Sequence, residues 1–140
     1  MLTFTIPGHP AGKGRPRAAI GSGGHATVYT DARTVTEEWN FLALARPYLP
    51  KVPFSGILRL EIIAVLLMPK SSAVKRAAML AGAIRPTRKP DTDNLAKLVM
   101  DAMNGRFYLD DSQVVDLLVS KVYGEAPSVT VSLFPLDGIL

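Results

Sequence analysis

The 140-residue chain contains no cysteine. This absence excludes a disulfide scaffold, a thiolate zinc site and a cysteine nucleophile. The longest purely apolar run covers only residues 62–68, whereas a membrane-spanning helix needs about 20 such residues. The N-terminal stretch has no basic flank and no extended apolar segment, which argues against a secretory signal. We therefore expect a cytoplasmic protein with no membrane partner.

Acidic residues are scarce in the first two thirds of the chain. Residues 1–90 hold 13 Lys and Arg against 4 Asp and Glu, whereas residues 91–140 hold 3 against 8. This distribution indicates a surface that attracts a polyanion and a separate carboxylate cluster that needs a positive partner. The alternative is a solvated basic face with scattered surface acids.

The hydrophobic pattern predicts one α/β (α+β) domain over residues 1–140, with a mixed sheet of about five strands and two main helices. The predicted strands are residues 2–6, 26–30, 56–68, 113–123 and 128–134. One helix is expected to end at Pro47. The other carries an apolar stripe at helical spacing, with Asp93 or Asn94 as its N-cap and Gly105 as its end.

Two basic segments are candidate contacts to the phosphates of a polyanion. The first is a loop bounded by Gly and Pro whose Lys13, Arg15 and Arg17 alternate along the chain; its alternative is a soluble basic loop. The second, residues 69–90, has no acidic residue and is predicted to be a mobile connection with a short helix at 73–83. Its six cations are Lys70, Lys75, Arg76, Arg85, Arg88 and Lys89.

The chemistry is expected around the second helix. Asp91 and Asp93 lie at its start, and Lys97 lies one turn beyond Asp93 on the same face. We expect the chain to turn back after Gly105, bringing the pair Asp110 and Asp111 to the same end of the helix. Carboxylates without histidine or cysteine suit Mg²⁺ or Mn²⁺. The alternative is a helix cap, an ion pair with Asp101 and a polar turn.

The sequence resembles the RusA family of Holliday junction resolvases over nearly its whole length. Three stretches carry the resemblance: residues 7–17 (PGHPAGKGRPR), residues 89–97 (KPDTDNLAK) with 101–105 (DAMNG), and residues 110–114 (DDSQV) followed by Lys121. Met103 stands where leucine is usual in the family.

The resemblance implies a homodimer that binds a four-way DNA junction and nicks two opposing strands symmetrically with Mg²⁺ or Mn²⁺, during recombination and repair, in a chromosome or a prophage. It implies metal-binding roles for Asp91, Asp93 and Asp111 and an essential role for Lys97. Asp110 is adjacent to Asp111 and could share the metal. The shared interface could be the long strand at 56–68 or the helix around Trp39.

Two other functions are open at this point. One is a non-catalytic protein that binds DNA by its structure. The other is a metal-dependent nucleotide phosphohydrolase, which needs an enclosed base pocket.

Overall fold

A computed structural model describes residues 1–14, 17–29 and 31–136, which form six strands and three α-helices. The strands are β1 (Leu2–Pro7), β2 (Arg17–Ile20), β3 (Ala26–Tyr29), β4 (Leu58–Leu67), β5 (Val114–Gly124) and β6 (Ser128–Pro135). The helices are α1 (Ala32–Ala45), α2 (Ala73–Leu80) and α3 (Thr92–Met103), and short 3-10 helices lie at Arg46–Tyr48 and Asp111–Gln113.

The main sheet has the strand order β1-β6-β4-β5. β4 pairs in parallel with β5 and antiparallel with β6, which pairs antiparallel with β1. Every second residue of β4 from Leu58 to Leu66 is buried, because successive side chains of a strand point to opposite faces. The predicted α+β class and the long apolar strand are confirmed.

The mixed sheet, predicted to have about five strands, has four, and the other two described strands form a separate ribbon. β3 lies where a strand was expected, but it pairs only with β2, in a two-stranded ribbon. β2 falls inside the predicted loop. The ribbon stays apart from the sheet because its side chains have no buried face; Ile20 is 79% exposed and Val28 69%.

The helix α3 follows the predicted stripe closely. Its buried residues are Leu95, Ala96, Leu98, Val99, Ala102 and Met103. The N-cap position is Asp91, two residues ahead of the predicted Asp93, and the C-cap is Asn104, followed by Gly105 at φ +74°. This positive φ suits glycine, so the predicted end of the helix is confirmed to within one residue.

The core lies between the main sheet and the helices α1 and α3. Phe4 of β1 stacks on Phe107 at 5.3 Å between ring centroids, and Phe41 of α1 packs on Phe4. Near the N-terminus of α3, Leu95 packs with Ala64 and Leu66 of β4. Since Leu66 is near the end of β4, the N-terminus of α3 lies at the C-terminal end of the parallel pair β4 and β5.

The strand β5 forms one edge of the main sheet. Val115, Leu117 and Leu118 are 56%, 48% and 51% exposed, so the first half of this edge is apolar and open. The central strand β4 has both of its edges paired. Of the two predicted interface elements, only α1 leaves a large aromatic side chain in solvent, with Trp39 62% exposed. None of the described helices is long and apolar enough to span a membrane.

Candidate active site

The start of α3 carries two exposed carboxylates. The Asp91 carbonyl accepts the Leu95 amide at 3.0 Å, but the Asp91 side chain makes no capping hydrogen bond. Asp93 lies in the first turn and Lys97 one turn later, both exposed. Within the described residues, no hydrogen bond or ion pair engages these three side chains. They are therefore free to bind a ligand from solvent.

Asp110 and Asp111 have different surroundings. The Asp110 carboxylate accepts hydrogen bonds from the Ser112 hydroxyl and, at 3.1 Å, from the Ser112 amide. These bonds lower the pKa of Asp110. The Gln113 side chain closes a capping box by accepting the Asp110 amide at 2.8 Å. Asp110 thus caps the 3-10 helix, whereas the Asp111 carboxylate has no hydrogen bond with the part of the chain that the structure describes.

The pair Asp110 and Asp111 lies toward the end of α3 that is opposite Asp91. The buried Tyr108 donates its hydroxyl to the carbonyl of Met100, in the C-terminal half of the helix, at 2.9 Å. Burial raises the pKa of Tyr108, and the charges of Asp111, Asp101 and Asp110 raise it further. The helix between the two acidic positions is 12 residues long, or about 18 Å.

The expected return of Asp110 and Asp111 to the N-terminal end of α3 is therefore not what the structure has. Phe107 and Tyr108 are fully buried just after the helix, and β5 starts beside the start of β4. This arrangement holds the acidic pair at the helix C-terminus. Among the described residues, no three Asp, Glu or His side chains form a group that could hold a metal ion.

The N-terminal basic loop is fixed against α1 and α3. The Lys13 amide donates to the Asn94 carbonyl at 2.9 Å, and the Gly14 amide donates to the Thr34 hydroxyl at 2.8 Å. The Lys13 ammonium forms an ion pair with Asp101. The hydrogen bond to Asp101 raises the pKa of Lys13. The predicted contact Arg15 lies outside the described residues, and Arg17 begins β2.

The basic segment at 69–90 follows β4 in the chain and contains α2, as the expected short helix. The Arg85 Nε donates to the Lys121 carbonyl at 2.9 Å, and the Arg88 Nη2 donates to the Leu67 carbonyl at 3.0 Å. These two cations anchor the segment to the sheet. Lys70, Lys75 and Lys89 are exposed, and Arg76 lies 3.5 Å from Glu125.

Lys121 is a positioning residue that the sequence analysis did not assign to the site. Its Nζ donates to the Arg88 carbonyl at 2.6 Å, and Arg88 is three residues before Asp91. In the sequence, Lys121 is a lone lysine within a mainly apolar strand, and it is named there only among the residues that carry the family resemblance. Its bond ties the chain that leads into α3 to the strand β5.

Comparison with known proteins identifies the family of the chain. The sequence matches the family model described as "Endodeoxyribonuclease RusA" over residues 7–133. The chain belongs to the RusA family. It is also 38% identical over 135 residues to the "Uncharacterized protein YqaN" of Bacillus subtilis (strain 168), a match that covers 94% of each chain. The resemblance seen in the sequence is confirmed, and the family is one of DNA endonucleases.

In this RusA family member, a cavity of about 550 Å³ connects the basic loop with the start of α3. Its wall includes the basic residues Lys13, Arg33 and Lys89 and the acidic residues Asp31, Glu37 and Asp91. Positive side chains beside an exposed aspartate can draw a phosphate group toward that carboxylate. The wall therefore carries charges of both signs beside the exposed Asp91.

The donor set at the start of α3 fits a hard divalent cation. Asp91 and Asp93 offer carboxylate oxygens that no other described residue occupies. Mg²⁺ keeps several waters and is bound through one or two carboxylates plus a substrate phosphate. Two aspartates are therefore a workable partial site, to which Asp111 of the same chain does not contribute from the far end of the helix.

Proposed function

We propose that the chain is a Mg²⁺-dependent endodeoxyribonuclease that resolves four-way DNA junctions by symmetric paired nicks. The observation that carries the proposal is the pair of free carboxylates at Asp91 and Asp93, beside a cavity whose wall includes Arg33 and Lys89, in a RusA family chain. Mn²⁺ has the same preference for oxygen ligands and is expected to substitute.

The aspartates and Lys97 have different roles in the proposed phosphodiester hydrolysis. Asp91 and Asp93 would hold the cation, with Asp111 of a second copy as a third ligand, and Lys97 would stabilise the negative charge that develops on the phosphate. The chemistry that a bound divalent cation supplies is activation of water and stabilisation of the leaving oxygen. In-line attack of water on phosphorus breaks the bond to the 3′-oxygen and leaves 5′-phosphate and 3′-hydroxyl ends.

The DNA would lie on the basic surface. Lys70, Lys75 and Lys89 are exposed along the segment that leads to Asp91, so phosphate contacts there would guide the strand toward the carboxylates. Arg76 lies on the same segment, with its charge shared with Glu125 at 3.5 Å. Arg85 and Arg88 hold the segment to the sheet through their backbone contacts.

A homodimer accounts for both the symmetry of the substrate and the separation of the aspartates. A four-way junction has approximate two-fold symmetry and needs two cuts, and a two-fold dimer supplies two sites. The open first half of β5 suits antiparallel pairing with the same strand of a second copy. Such pairing runs the start of one β5 toward the end of the other, which carries Asp111 of a second copy toward Asp91 and Asp93.

Cleavage of matched substrates tests the proposal. We would compare a four-way junction, a linear duplex, a single strand and a nucleoside triphosphate, each with Mg²⁺ and with EDTA. The proposal predicts paired nicks in the junction with Mg²⁺ and none with EDTA. Junction binding without nicking would indicate a non-catalytic DNA-binding protein, and hydrolysis of the nucleotide alone would indicate a phosphohydrolase. Either result would overturn the proposal.

A further inference from the structure

Lys13 lies between two carboxylates from different helices. Its ammonium pairs with Asp101 of α3 and lies 3.8 Å from the Glu38 Oε1 of α1. The side chains of Lys13, Glu38 and Asp101 are only 25%, 27% and 35% exposed. The Glu38 Oε1 is buried and has no hydrogen-bond partner among the described residues. The lysine is thus the positive centre of a partly buried cluster and not a freely extended surface cation.

The backbone around Lys13 lies directly on the residues that contain Asp91 and Asp93. The Lys13 amide bonds to the Asn94 carbonyl, and the Gly14 amide bonds to the hydroxyl of Thr34, which is 2% exposed. A Cβ at Gly12 would lie 2.9 Å from the Pro90 Cβ and 3.0 Å from the Asn94 Cβ. Residues 12–14, the glycine loop, therefore cross residues 90–94 with no spare room.

We propose that Lys13 and Asp101 are positioning residues, whose ion pair holds the glycine loop across residues 90–94 and so fixes the approach to Asp91 and Asp93. This role rests on the proposed nuclease function. It differs from the phosphate contact that the sequence predicts for Lys13. The pair acts over a distance because the Lys13 backbone is bound at Asn94, whereas its ammonium is bound at Asp101, about two turns further along α3.

The two roles predict opposite effects of Asp101→Asn. If Lys13 binds phosphate, the substitution frees its ammonium, so the junction should bind more tightly while Lys13→Met weakens binding. If the pair positions the loop, both variants should cleave more slowly at saturating DNA, by about 10- to 100-fold, with little change in Kd. The double variant should be no slower than Lys13→Met alone, because both substitutions remove one interaction. Lys13→Arg, which keeps the charge, should recover most of the rate.

Amide hydrogen exchange gives a readout that is independent of cleavage. We expect faster exchange of the Lys13 and Gly14 amides in Asp101→Asn and Lys13→Met, but not in Glu61→Gln. That control breaks the Arg59–Glu61 ion pair on the sheet, away from the loop. Unchanged exchange, or tighter junction binding by Asp101→Asn, would overturn the inference. If the variants exchange faster but the wild-type protein never cleaves DNA, the anchoring role of the Lys13–Asp101 pair is supported. That result would contradict the proposed nuclease function instead.

Discussion

At the scale of single residues, the adjacent acids Asp110 and Asp111 differ in their hydrogen bonds. Asp110 accepts two hydrogen bonds from Ser112 and caps a 3-10 helix, whereas the Asp111 carboxylate has no such bond within the described chain. The family resemblance alone does not separate them, because an alignment can slip by one position. The hydrogen bonds favour Asp111 as the ligand and Asp110 as the cap.

The substitutions Asp110→Asn and Asp111→Asn should therefore affect different properties, thermal stability in the first and cleavage in the second. Asp110→Asn should lower the Tm and leave cleavage measurable, and Asp111→Asn should abolish cleavage with little change in Tm. The folded pKa of Asp110 is below its ordinary value of 3.8, so the stability it contributes is present above that value and is lost as pH falls through the folded pKa. The Tm difference between wild type and Asp110→Asn should shrink accordingly on acidification below pH 4. A difference that is constant with pH would contradict the capping role.

Glycine at position 12 is a residue whose role the sequence does not reveal. It lies in a run rich in glycine and proline, and only the packing against Pro90 and Asn94 shows that a side chain would not fit. The ion pair of Lys13 with Asp101 is equally hidden, because its partners are 88 positions apart.

At the scale of elements, the glycine loop and α3 form one unit. Gly12→Ala should destabilise the protein by about 1–3 kcal/mol through overpacking and slow cleavage by shifting the loop. Gly21→Ala is the matched control, since its Cβ would meet nothing closer than the His25 carbonyl at 3.8 Å. Thermal unfolding and cleavage rates of both variants check this, and equal behaviour of the two would contradict the close contact of loop and helix.

The elements with strong local patterns could be predicted from the sequence, and those that depend on distant pairing could not. The apolar stripe of α3 and the dense apolar run of β4 each determine their own structure. The strand β3 lies where a strand was predicted, but β2 and its pairing with β3 were missed, because β2 falls in a segment rich in glycine and proline. The placement of Asp111 at the far end of α3 follows from the parallel pairing of β5 with β4, which brings together residues more than 50 positions apart.

At the scale of the whole molecule, part of the positive charge of residues 1–90 lies on one exposed segment. The exposed Lys70, Lys75 and Lys89 lie on the segment that leads to Asp91. Changing all three to alanine should weaken junction binding and reduce the slope of log K against log salt by about 2 to 3, because each phosphate that a lysine no longer neutralises lowers the slope by about 0.9. Binding titrations over a range of salt concentrations measure this slope.

The control for this prediction is Lys51→Ala. Lys51 is an exposed cation in the connection between α1 and β4. We expect its removal to leave the salt dependence nearly unchanged. A triple variant with the wild-type slope would show that the basic segment does not contact DNA. Arg85 and Arg88 are left intact in this design because they hold the segment to the sheet.

The central claim is that a second copy completes the aspartate site, and mixed dimers test it most directly. Asp93→Asn and Asp111→Asn chains, with different tags, would be co-expressed and purified through both tags. Each variant alone should bind the junction and not cut it. The mixed dimer should regain nicking of one strand, because one of its two sites then has both aspartates intact. An active Asp93→Asn homodimer, or a mixed dimer that stays inactive, would contradict the account.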